Sequence, residues 1–145
     1  MIMMQTEGYF TYLDGSQVFA YVIPKGLKSE GVKFFTPDYS DFQLGLMTRN
    51  SSTPVRLHQH NLIHREISVT CEFLLIRSGE ALVSLQSSID SEPVQFTLRE
   101  GDSVLFTGKG VHGIEFEVDT EILEIKQGPF NSDTDKTYLT HLHIK

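Results

Sequence analysis

The stretch "CEFLLIRSGEALVSL", Cys71–Leu85, decides the fold. Two strongly apolar runs meet at Ser78-Gly79, where glycine supplies the positive φ that a tight turn requires. In the first run Glu72, Leu74 and Ile76 share one face, as alternate residues of a strand do. The same period of two recurs on both sides. Upstream, "YFTYLDGSQVFAYVI" is two aromatic and β-branched runs joined at Asp14-Gly15, a hairpin signal, and "FQLGLMT" reads as a strand ending at the turn-rich "RNSSTP". Downstream, "PVQFTL" alternates Val94, Phe96 and Leu98 with polar residues, and "REGDSVLFT" sends a Gly101-Asp102 turn into a short strand. "GKGVHGIEFEV" and "TEILEIKQG" supply two more strands on either side of Asp119-Thr120. No segment carries an amphipathic helix of three turns; "PDYSDF" is at most one helical turn. Many short strands punctuated by glycine turns predict an antiparallel sandwich or barrel. With 145 residues, no internal repeat and no linker, the expectation is one all-β domain over residues 1–145.

Composition narrows the function classes. One cysteine forms no internal disulfide, and without a C-x-x-C pair there is no thiolate zinc site. Twelve basic residues against 19 acidic ones, for a net charge of −7, leave no Lys/Arg-rich face for nucleic acid or an anionic membrane. The N-terminal "MIMMQTEGYF" lacks the basic and apolar regions of a signal peptide, and no apolar run approaches the ~20 residues of a membrane-spanning helix. The expectation is a soluble, cytoplasmic protein whose partner is a small molecule. Strand edges and the apolar N-terminal hairpin point to a homodimer, since unpaired strands are usually covered.

The residues that carry chemistry begin just before the central hairpin, in "VRLHQHNLIHREISVT", Val55–Thr70. If "VRLHQH" is extended, His58 and His60 project to one face about 7 Å apart, with Gln59 opposite. Such a pair is either a polar surface feature or half of a metal site. Glu72, leading an apolar strand, sits at the mouth of the fold or is buried and needs a cation. His112 shares a face with Ile114 and Phe116, while Glu115 and Glu117 point the other way. A lone histidine there is ordinarily a satisfied core or rim residue; beside an H-x-H pair and a buried glutamate, ligation becomes the better reading. The tail "THLHIK" repeats the spacing at His141 and His143, which read as surface residues. Cys71 alternates away from Glu72 and reads as packed rather than nucleophilic.

"HQH", "EFLLIRSG" and "GDSVLFTGKGVHGIEF" together resemble the two halves of the cupin signature: H-x-H, a glutamate and, after six intervening residues, a glycine, then a glycine followed by a histidine. The resemblance runs from about Val55 to Phe116. It implies a jelly-roll β-barrel with one divalent transition metal (iron, manganese, nickel, zinc or cobalt) on His58, His60, Glu72 and His112. Eleven residues separate His60 from Glu72, more than the family's usual three or four, so Glu66 is a second candidate carboxylate. Glu72 is preferred because it leads into the apolar strand and the glycine turn. "TGKGVH" lacks the family's usual proline, and Lys109-Gly110 can make an equivalent turn. The ending "IKQGPF" and the expanded spacing resemble small cupins associated with surface-polysaccharide and nucleotide-sugar enzymes.

Two functions follow from that resemblance. One is a metal-dependent enzyme, an isomerase, epimerase or dioxygenase acting on a small oxygenated metabolite such as a sugar derivative. In it Glu66 or Lys126 transfers protons, and His64, Arg65 and Glu124 contact substrate. The other is a non-catalytic module that binds a carbohydrate or metabolite. Glu124 and Lys126 line the cavity only if Leu123 and Ile125, on the alternate face, pack outward; otherwise they form a solvated ion pair.

Overall fold

The computed structural model describes residues 1–139. Among them every regular element is a strand: β1 (Ile2–Thr6), β2 (Tyr9–Asp14), β3 (Gln17–Ile23), β4 (Val32–Phe34), β5 (Gly45–Met47), β6 (Glu72–Ser78), β7 (Glu80–Gln86), β8 (Val94–Arg99), β9 (Ser103–Phe106), β10 (Val111–Glu115) and β11 (Glu121–Lys126). All pairings are antiparallel. No helix in these residues is long and apolar enough to cross a membrane.

A six-stranded sheet runs β1-β2-β3-β9-β6-β11, a three-stranded sheet β10-β7-β8, and β4-β5 form a small ribbon. The core between the two larger sheets draws Tyr12, Ala20, Val22, Leu74, Ile76 and Phe106 from the first, and Ala81, Val83, Leu85 and Leu98 from the second. The opposite face of the six-stranded sheet is covered as well. There Tyr21, Ile23, Leu105 and Cys71 pack with Phe35, beside Leu44 and Leu46. Two covered faces explain why β9 reads "SVLF" with every residue buried, whereas β7 alternates along most of its length.

The turns act as their sequences dictate. Gly79 has φ +79°, and a Cβ there would lie 2.5 Å from the Asp119 carbonyl oxygen, so the β6–β7 turn requires glycine twice over. At Gly101, φ is +86° and Asp102 organises the turn, its carboxylate accepting hydrogen bonds from the backbone N–H of Arg99 and Lys25.

Two sequence expectations meet a correction. "VRLHQH" forms no strand: the chain from Thr53 to Ser68 is irregular and almost wholly exposed, including Leu57 and Leu62. The sheets do not close into a barrel. The three-stranded sheet ends at β10, whose outer edge is unpaired among the described residues, because the long connection from β5 to β6 contributes no strand. "PDYSDF" makes turns rather than helix, and His141 and His143 lie outside the described residues.

Candidate functional site

Where the two larger sheets part, at the start of β6, a cavity of about 960 Å³ opens between β6 and β11 on one side and β10 on the other. The 134–139 stretch of the tail and Ser68–Thr70 complete its rim. Its polar centre is Glu72. As the first residue of β6, Glu72 pairs in register with Phe106 of β9 and Lys126 of β11. Alternation along β6 turns it, like Leu74 and Ile76, toward the space between the sheets, while Cys71 packs behind. Burial raises the thiol pKa of Cys71.

His112 reaches Glu72 from the facing sheet. Its imidazole stacks on Phe106, ring centroids 4.0 Å apart and planes 3° from parallel, and its Nε2 donates a hydrogen bond to Glu72 Oε2 at 2.9 Å. The other carboxylate oxygen, Oε1, faces two ammonium groups, Lys126 Nζ at 3.7 Å and Lys136 Nζ at 3.8 Å. Lys126 also donates to Glu124 Oε1 at 2.9 Å and lies over the Phe130 ring. An 8 %-exposed carboxylate is thus compensated from three directions, as a buried charge must be.

The electrostatics follow from these contacts. The hydrogen bond from His112 holds the Glu72 carboxyl down at about 2, against the upward push of burial, with Glu124 and Lys136 adding to the depression. The hydrogen bond to Glu124 raises Lys126 above the ordinary lysine value, so it stays cationic at neutral pH. Since Glu72 is ionised, His112 Nε2 carries the proton of their hydrogen bond. His112 Nδ1 has no hydrogen-bond partner among the described residues, and the side chain is 30 % exposed. That nitrogen can exchange a proton with a bound molecule.

Leu123 and Ile125 are exposed on the outer face of β11, and Glu124 and Lys126 line the cavity with Glu72 and His112. The other named residues lie elsewhere. His58, His60, His64, Arg65 and Glu66 are exposed on the irregular segment, and none lines the cavity. The rings of His58 and His60 are 5.2 Å apart, edge to face, and His58 Nδ1 bonds the Arg56 carbonyl oxygen at 2.8 Å. Among the described residues no three His, Cys, Asp or Glu side chains gather about one point. As the chain is folded, Glu72 and His112 are two donors beside two ammonium groups, and a four-ligand set with His58 and His60 is not assembled. Two contributors were not legible in the sequence. Phe106 reads only as one more core residue, and Lys136 sits in a polar tail with no periodicity to mark it.

No protein-family model matches the chain, and neither does any curated protein or solved structure.

Proposed function

We propose that this protein binds a small oxygenated metabolite, such as a sugar derivative, in the cavity around Glu72, and transfers a proton to or from it through His112. The carrying observation is the 2.9 Å Glu72–His112 hydrogen bond, made across the gap between two sheets at the wall of a cavity. Glu72 fixes the imidazole's orientation and the proton on Nε2, and the Phe106 ring holds its plane. Nδ1 is left to meet the ligand. Lys126, kept protonated by Glu124, is placed to donate a hydrogen bond to an oxygen on which charge develops. The cavity volume falls in the ordinary range for small-molecule sites. Its walls present Lys109, Lys126 and Lys136 against Glu72, Glu124 and Asp135. Balanced charge of this kind suits hydroxyl and carbonyl groups better than a strongly anionic ligand. An isomerase or epimerase, moving a proton at a carbon next to a carbonyl, needs this pairing of base and donor.

The test is solvent-hydrogen exchange. The protein is incubated in D2O with aldoses, ketoses and keto-sugar derivatives, and deuterium uptake at carbon is read by mass spectrometry. Exchange that disappears in His112→Ala is expected. Saturable binding of a panel member without exchange replaces this reading with the non-catalytic binding module.

A second reading keeps the metal and the cupin jelly roll, and one feature favours it. The outer edge of β10 is unpaired among the described residues, and the end of the connection into β6 passes close to the turn that leads into β10: a Cβ on Gly108 would lie 2.7 Å from the Thr70 carbonyl oxygen. Pairing of Val55–His60 with β10 would add the strand the barrel lacks and put His58 and His60 on the sheet that carries His112. A bound ion would supply Lewis-acid chemistry there. Stoichiometric metal in the purified protein, lost in both His58→Ala and His112→Ala, is the expected result of this second reading.

A further inference from the structure

Four strand edges bound the two larger sheets, and they are unequally protected. β11 carries Glu121, Glu124 and Lys126, β8 ends on Arg99, and β10 ends on Glu115. Charges of this kind are how sheet edges discourage pairing with other chains. β1, "IMMQT", carries none, and Ile2, Met3 and Met4 are each about half exposed or more, at 63 %, 52 % and 48 %. Its inner side pairs with β2 over all five residues, which leaves its outer backbone groups without a partner among the described residues.

The geometry points to a second copy of this chain as the occupant: we infer that β1 pairs antiparallel with β1 of another molecule about a two-fold axis through Met4. In that register Met4 faces Met4, Ile2 faces Thr6 and Met3 faces Gln5, so no charge meets a charge and the strand is its own complement. The faces also match. Met3 and Gln5 lie opposite Tyr12 and Phe10 and so share the core side of the sheet, whereas Ile2, Met4 and Thr6 share the other. Each copy's sheet then continues into the next without a step. The other edge of the sheet, charged β11, is a poor acceptor for β1. The association is therefore isologous and closes at two rather than growing into a filament. A five-residue strand buries little area, which places the pair among weak, concentration-dependent dimers rather than obligate ones.

Sedimentation velocity from low micromolar to millimolar protein tests this. The wild-type chain is expected to shift from monomer to dimer across that range. Met4→Lys and Met4→Glu, which set like charges against each other at the axis, are each expected to weaken association on the order of a hundredfold. An equal mixture of the two variants is expected to restore the dimer. A wild-type chain that stays monomeric throughout overturns the inference, as does a dimer that both variants leave intact. Should either variant fail to fold, amide hydrogen exchange of the wild-type chain decides: protection of Ile2–Thr6 that rises with concentration supports the pairing, and unchanged protection overturns it.

Discussion

Val55–Ser68 and Glu72–Gln86 are neighbours in sequence with similar apolar character and opposite fates. The first holds Val55, Leu57, Leu62, Ile63 and Ile67 and leaves all five exposed; the second buries Leu74, Ile76, Ala81, Val83 and Leu85. Alternation of side chains does not separate them, since "VRLHQH" alternates as well as much of the hairpin does. Partners do. β6 lies between β9 and β11, and β7 between β8 and β10, whereas the Val55 segment pairs with no strand among the described residues. A strand is stabilised by its cross-strand neighbours more than by its own propensity, and this contrast within one stretch displays that rule.

The contrast breaks most visibly under core truncation. Ile76→Ala is expected to cost about 3 kcal/mol in urea unfolding, from lost burial and the cavity left behind, while Leu57→Ala leaves the unfolding midpoint where it was. Equal losses at both sites would mean that the Val55 segment is packed. A smaller effect is expected at Glu72. Replacing it with alanine strands His112, Lys126 and Lys136 without their shared anion and costs on the order of 2 kcal/mol by the same measurement.

The pH dependence sharpens this further. The folded-state pKa of Glu72, about 2, lies below its ordinary 4.5, so the stability it contributes is complete above about 4.5 and is lost as pH falls toward about 2. The stability gap between wild type and Glu72→Gln should therefore narrow as pH falls across that window. A gap that widened on acidification would contradict the hydrogen bond from His112.

Limited trypsin digestion probes the same pair of regions with little or no change in stability. Cleavage is expected first at Arg56 and Arg65, in the exposed segment, and last at Arg77, within β6. Slower cleavage at Arg56 and Arg65 on adding a divalent transition metal would favour the reading in which the segment closes onto β10.

What the sequence made legible follows the same physics. β2, β3, β6, β7, β8, β9, β10 and β11 stood out because short apolar or alternating runs lay between turn residues, and each is paired with another strand. β4, three residues long, had too little pattern to be seen, and β1 was hidden because "IMMQT" opens on three consecutive apolar residues without alternation. In the site, Glu72, Glu124, Lys126 and His112 could be placed by parity along their strands. The H-x-H pair could not, because parity gives the face of a strand and not whether the strand exists. Lys136 and Phe106 were missed because their roles depend on what crosses them in space.

The most direct test of the cavity as the ligand site is an amide chemical-shift map of the 15N-labelled protein, titrated with the sugars and keto-sugar derivatives named above. Shifts concentrated at Val69–Glu72, Val111–Ile114 and Glu124–Lys126, and lost in His112→Ala, are the expected result. Shifts confined to Val55–Glu66, or a map that no member of the panel changes, would contradict it.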